Sequence, residues 1–357
     1  MRLTNAIILH GEEFEVIKGH IIIENGEIKE VGEGSIRNAI DLEQGIIFPA
    51  FTNAHVHLGD SIAQDYGHNL PIEARVGRKG LKFKILRNRE ITTGIKESLK
   101  EMFKIGITTF CDFRELGLKG IKQIKEAGLK IHDSIILGRP NGEVDKLGKL
   151  LEECDGIGIS SVNDYSEEDL RKIAEEVRKR NKLLAFHCSE VKDDVAEVLK
   201  YNPSFVVHLT NAREESLEEI FKRKIPVVLC PRANATLGVG IPRLREIFEN
   251  TLVALGTDNV MINSFNMFRE MEFTFKLIRG LYKDHEFDAK EVLKAATLNG
   301  RKILGLEPNT IEEGKKANMI ILKGRKYLYD PVVAIIHRFE VSDIRGVIKE
   351  EKMFWRD

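Results

Sequence analysis

Cysteine is scarce and scattered in this chain. Cys111, Cys154, Cys188 and Cys230 are its four cysteines, none of them in a CxxC pair. That spacing argues against a disulfide framework and reads as reduced thiols in a cytoplasmic protein. Long apolar runs are missing too: nothing approaches the roughly 18 residues that cross a bilayer, so no membrane partner is expected. Met1 to Ile7 passes directly into a strand-like segment and reads as lacking a signal peptide. Charge of one sign is lacking as well. The 55 Lys and Arg nearly cancel the 56 Asp and Glu, leaving a net charge of -1, so no global field favours nucleic acid or an anionic surface. What remains is a globular profile, 42% hydrophobic and 31% charged. The expected partner is a small-molecule substrate, with assembly into a homo-oligomer left open.

The organisation lies in an alternation. Short β-branched runs are followed by longer amphipathic stretches rich in Lys and Glu, the pattern of parallel strands joined by helices. Eight such runs stand at 46–51, 106–113, 131–137, 156–162, 183–187, 205–208, 227–230 and 252–256. Helices are expected between them, for example Ser166 to Lys179, with Ser166 and Asp169 spaced as in a capping box, and Glu214 to Arg223. Eight repeats over about 250 residues match an α/β chain closed into a (β/α)8 TIM barrel. The ends read differently, as short strands at 6–10, 14–17, 20–23 and 27–31, with an Asn25-Gly26 hairpin turn, and again at 317–322 and 344–348. The expected domains are a catalytic barrel over 49–305 and a small β-sandwich built from 1–48 and 306–357.

In such barrels the reactive groups sit at the C-terminal strand ends. His55 and His57 end the first run two residues apart, so an extended strand turns both imidazoles to one face, as a single metal ion requires. An HxH pair alone is a weak signal. His187, His208 and Asp258 end three further runs, and folding would bring all five together. A lone strand histidine is more often a core residue, and a lone aspartate more often a helix cap. Five at matching strand ends are hard to explain that way.

This ordered set resembles the amidohydrolase superfamily: HxH after strand one, His after strands five and six, Asp after strand eight. Cys230 to Asn234 and Leu255 to Asn259 further resemble its mononuclear deaminase and chlorohydrolase branch, and His187-Cys188-Ser189-Glu190 resembles the HxxE of cytosine, adenosine and guanine deaminases. The resemblance implies one divalent metal held by His55, His57, His187 and Asp258, since the fourth run lacks the bridging lysine of binuclear members. Zinc is the default, with iron, manganese or nickel also compatible. It further implies hydrolytic deamination of a purine, pyrimidine or pterin-like heterocycle by a metal-activated water. Asp258 would take the proton of that water, His208 would orient it, and Glu190 would shuttle protons. Arg232 and Asn234, after strand seven, are the candidate substrate contacts. The stretch 58–92, with Asp60, Arg75, Arg78 and Lys79, should cover the site, its basic residues unassigned. The alternatives are hydrolysis of a C–Cl, amide or cyclic C–N bond at the same site, and a non-catalytic metal-binding barrel.

Overall fold

The structure, a computed structural model, describes every residue except 87–90, 129, 141, 143 and 357. Part of the 58–92 stretch thus lies outside the described residues. The chain forms two compact units, Met1–Thr52 with Lys100–Thr109 and Asn266–Asp357, and Asn53–Leu99 with Phe110–Phe265.

The first unit carries a seven-stranded sheet drawn from both termini. Strand Ile40–Pro49 joins the two contributions, pairing parallel with Arg2–His10 and antiparallel with Asn318–Leu322. One apolar cluster, including Leu3, Ile8, Ile21, Ile47, Met319 and Ile348, packs against it. Asn25 and Gly26, at φ 51° and 76°, turn Glu15–Glu24 back onto Glu27–Glu33, the left-handed pair that a tight hairpin needs. Two strand expectations change here. The runs at 14–17 and 20–23 are one strand, Glu15–Glu24, continuous through Gly19. A Cβ at Gly19 would fall 1.8 Å from the Gly32 carbonyl oxygen, so this glycine permits close strand approach and marks no turn. The apolar run 46–51 is divided: Ala50 N–H donates to Asn318 O and Phe51 N–H to Gly106 O. Ile46 to Pro49 therefore belongs to the seven-stranded sheet, and a new strand starts at Phe51.

The other sheet is parallel and carries the site. Its strands are Phe51–His57, Ile107–Arg114, Asp133–Gly138, Gly156–Ile159, Leu183–Cys188, Phe205–His208, Val227–Leu229 and Val253–Leu255, with Asp258–Asn259 beyond. They are numbered one to eight below, each pairing with its neighbour in sequence, and Asp258–Asn259 pairs with strand one. Only Gly256 and Thr257 separate the two halves of strand eight. Gly256 N–H donates to Leu229 O of strand seven, and Thr257 N–H to His55 O of strand one. The last strand thus bonds to both the seventh and the first, and the sheet curls as in a TIM-like barrel. Its strands are buried almost throughout, as apolar runs covered on both faces should be. Between them run helices such as Glu167–Lys179, whose cap Ser166 accepts from Asp169 N–H at 3.1 Å, and Glu214–Lys222.

Candidate active site

Strand one presents His55 and His57 on one face with Val56 between them, both buried. His187 lies on strand five, His208 ends strand six, and Asp258 follows strand eight. Parallel register places His208 beside Cys188 and Asp258 beside Val56. Strand eight reaches strand one because residue 256 is glycine: a Cβ there would lie 2.7 Å from His55 Cβ and 2.8 Å from its backbone N and O. Asn53 fastens the pair, accepting from Thr257 N–H at 3.0 Å and donating to Thr257 Oγ1 at 2.7 Å. Ser189, His208 and Asp258 adopt φ of 51°, 80° and 59°. Each costs on the order of 1–3 kcal/mol for a residue with a side chain, and such strain gathers at functional sites.

The ligating atoms of His55, His57, His187 and Asp258 all lie within 4.8 Å of one another. Asp258 Oδ1 is 3.3 Å from His55 Nε2 and 3.5 Å from His57 Nε2. His57 donates its Nδ1 proton to Glu115 Oε1 at 2.8 Å, with Phe113 O also at 3.0 Å. His187 donates its Nδ1 proton to Ile159 O at 2.9 Å. Each Nε2 is thereby left with a lone pair, yet the two Nε2 atoms stand 3.3 Å apart. Two lone pairs so close repel unless a cation lies between them. Burial pushes His55 down to about 4 and His57 to about 3, and His187 well below the ordinary histidine range, so all three are neutral, as ligands must be. Both ring nitrogens of His55, and Asp258 Oδ2, are buried without a hydrogen-bond partner. Three neutral imidazoles and a carboxylate with unfilled valences fit a divalent metal ion.

Beside this set, Glu190 leaves strand five in a bend and reaches into the same cavity, its Oε2 3.9 Å from His208 Nε2. Asn211 holds that bend by donating to Glu190 O at 2.7 Å. Burial raises the Glu190 carboxyl above the ordinary glutamate range. His208 donates through Nδ1 to Asn234 Oδ1 at 3.0 Å, and its Nε2 is buried without a partner. Asn234 in turn donates to Thr210 Oγ1 at 2.8 Å. The sequence points to Asn234 as a substrate contact; the structure places it behind His208. Arg232 donates to Ser264 O at 3.2 Å, and neither residue is among those lining the cavity.

The cavity holds about 510 Å³, with His57, His187, Glu190 and Asp258 in its wall. Ile72, Val76, Arg78, Lys82 and Phe83 of the stretch after strand one line it as expected. Arg75 instead turns inward and donates to Met261 O at 2.8 Å. Sequence reasoning missed Glu115, Arg139 and Lys82. Glu115 and Arg139 directly follow strands two and three, so the strand-end rule that found the histidines would have reached them. Arg139 lines the cavity, buried, its Nε without a hydrogen-bond partner. Lys82 carried no local signal.

Comparison with known proteins agrees with this geometry. The Amidohydrolase family profile matches residues 46–349. An uncharacterized protein of Methanocaldococcus jannaschii is 34% identical over 96% of each chain. The 5-methylthioadenosine/S-adenosylhomocysteine deaminase of Pyrococcus furiosus is 27% identical over 91% of this chain and 87% of its own. A zinc-bound adenosine deaminase from Xanthomonas campestris shares the fold at TM-score 0.80 and 17% identity, over 98% of this chain and 93% of its own. With its buried metal-binding His/Asp cluster, the chain belongs to the amidohydrolase family and is a hydrolase acting on carbon–nitrogen bonds.

Proposed function

We propose that the protein hydrolytically deaminates an amino-substituted nitrogen heterocycle of the purine, pyrimidine or pterin kind, on a (β/α)8 catalytic barrel over 49–305 flanked by a β-sandwich of 1–48 and 306–357. The observation that carries this reading is Glu190, a buried carboxyl at the cavity wall, raised by that burial above the ordinary glutamate range and set beside His208 and Asp258. A site that merely stored a metal would have no use for it.

In this reading His55, His57, His187 and Asp258 hold one ion, zinc by default, since strand four, Gly156–Ile159, offers no lysine to bridge a second. When bound, the ion would supply Lewis-acid activation of water. The rest falls to the chain's own groups. Asp258 Oδ2, without a partner, takes one proton from the attacking water. His208 Nε2, its tautomer fixed by Asn234, accepts a hydrogen bond from the same water and aims it. Glu190 gives its proton to the ring nitrogen next to the amino-bearing carbon and recovers one as that ring rearomatises. The water oxygen stays on carbon, the C–N bond breaks, and the amino group departs as ammonia with the one proton Asp258 took, while the water's second proton is the one that returns to Glu190. Ile72, Val76 and Phe83 shield the ring from solvent, and Arg139 suits an acceptor-bearing or anionic substituent.

The test is metal analysis combined with ammonia release over a panel of aminated purines, pyrimidines and pterins. A single equivalent of zinc with turnover of one class is expected. Metal-loaded protein that releases chloride or a carboxylate from other substrates, and ammonia from none, would replace deamination with the alternative hydrolysis.

A further inference from the structure

Behind the metal ligands lies a buried ammonium. Lys82, on the short helix Leu81–Ile85 of the stretch after strand one, has Nζ 2.5 Å from Glu115 Oε1, 2.5 Å from Asn259 Oδ1 and 3.6 Å from Asp60 Oδ2. All four side chains are buried. The same Glu115 oxygen accepts the Nδ1 proton of His57 at 2.8 Å, and Asn259 Nδ2 donates to Asp258 Oδ1 at 2.8 Å. We infer that Lys82 is a positioning residue whose ammonium joins Glu115 and Asn259 into one arch, holding His57 of strand one and Asp258 of strand eight in the relation a shared metal requires. This rests on the proposed function only in taking His57 and Asp258 as ligands of one ion.

Three arguments favour that role over a plain ion pair. A buried ammonium costs several kcal/mol unless its charge and protons are met; here the Glu115 and Asn259 oxygens each accept a proton at 2.5 Å and the Asp60 carboxyl stands 3.6 Å away. Lys82 is not the sole cation on Glu115, since Arg114 Nη2 donates to Glu115 Oε2 at 2.7 Å while its Nη1 faces Asp112 Oδ2 at 3.5 Å. What Lys82 adds is the connection to Asn259. By taking the amide oxygen, it turns the amide nitrogen toward Asp258; the reverse orientation would set an oxygen against a carboxylate. The arch ties ligands 201 residues apart in the chain to a helix that also lines the cavity, with His57 Nε2 and Asp258 Oδ1 at 3.5 Å.

The experiment compares wild type, Lys82→Met, Asn259→Ala and the double variant. Zinc affinity is read by chelator competition, the visible spectrum of the cobalt-substituted protein reports ligand geometry, and circular dichroism reports folding. Lys82→Met should fold, bind zinc roughly 10–100-fold more weakly, and shift the cobalt bands. Asn259→Ala should do the same, and the double variant should be no worse than either, because one arch is broken once. Wild-type affinity and an unchanged cobalt spectrum in folded Lys82→Met would overturn the inference, and a raised KM alone would make Lys82 a substrate contact. If Lys82→Met fails to fold, undiminished zinc affinity in Asn259→Ala overturns it equally. Wild type that binds no metal would instead sink the proposed function, and the arch with it.

Discussion

Replacing Glu190 with glutamine separates the chemistry of the site from its assembly. Glutamine keeps the length of the side chain and one acceptor oxygen but cannot hold and release a proton near neutral pH. General acid–base catalysis contributes about two to four orders of magnitude, or about 3–5 kcal/mol of barrier at 1.36 kcal/mol per tenfold. The structure points to the upper half of that range. Asp258, which groups with Glu190 and His208, has its Oδ1 already facing His55 and His57 at 3.3 and 3.5 Å, so it is poorly placed to take over the role of Glu190. Glu190→Gln should therefore lose roughly a thousandfold in kcat or more, with little change in KM. Its zinc content should match wild type, because Glu190 lies outside the His55, His57, His187 and Asp258 cluster and meets it only through Asp258, with which it and His208 form a second group. Steady-state ammonia release gives the first quantity and elemental analysis of the purified variant the second. Turnover within a few-fold of wild type would refute the proton-shuttle assignment, and loss of the metal would show that Glu190 belongs to the binding set.

Other perturbations test the rest of the site. Stripping the metal with a chelator should abolish activity and lower Tm, since free metal at a thousand times Kd stabilises the folded state by about 4 kcal/mol; a calorimetric scan before and after zinc is restored measures it. Asn234→Ala frees His208 Nδ1 and should cut kcat roughly tenfold to a hundredfold with zinc content intact, whereas a change confined to KM would return Asn234 to substrate binding. Gly256→Ala forces a Cβ to within 2.8 Å of the His55 backbone and should cost about 1–3 kcal/mol in a denaturant titration, with weakened zinc binding; a neutral result would mean strand eight has slack. Burial pushes the Cys111, Cys154 and Cys188 thiols up, and Cys230 is buried too. A thiol reagent at pH 8 should therefore label none of the four until the chain is unfolded.

The convergence of His55, His57, His187 and Asp258 was legible because two rules act on them directly. Spacing by two puts His55 and His57 on one face of a strand, and the barrel rule places reactive groups at strand ends. Asn234 shows where such reading stops. Its position after strand seven was legible, but the helix Pro231–Leu237 directs its amide to His208, and that follows from backbone direction, which no spacing encodes. The break at Ala50 was hidden for a related reason: Ile46 to Phe51 is apolar throughout, and only hydrogen-bond partners reveal two sheets. Lys82 was the least visible. Its partner Asn259 is 177 residues away, and the alternation Leu81-Lys82-Phe83-Lys84-Ile85 reads as a strand with Lys82 on the solvent side, so its burial is a tertiary outcome.

The four imidazoles are fixed in three different ways, and the difference bears on their chemistry. His57 is held by a carboxylate, which pulls on its Nδ1 proton and makes Nε2 the more basic donor. His187 and His208 are held by neutral oxygens, Ile159 O and the Asn234 amide, which set the tautomer with less effect on basicity. His55 has no partner on Nδ1; its Nε2 faces Asp258 Oδ1 at 3.3 Å and its ring packs edge-on to Phe113 at 4.3 Å. Under the proposed function a metal held by His55, His57 and His187 with Asp258 would be bound most firmly through His57, whose Nδ1 partner is charged, and Glu115 should matter more to affinity than Asn234, which holds His208 outside that set. The opposite ranking of zinc affinities in Glu115→Gln and Asn234→Ala would mean that packing, and not the Glu115 carboxylate, governs the strength of this site.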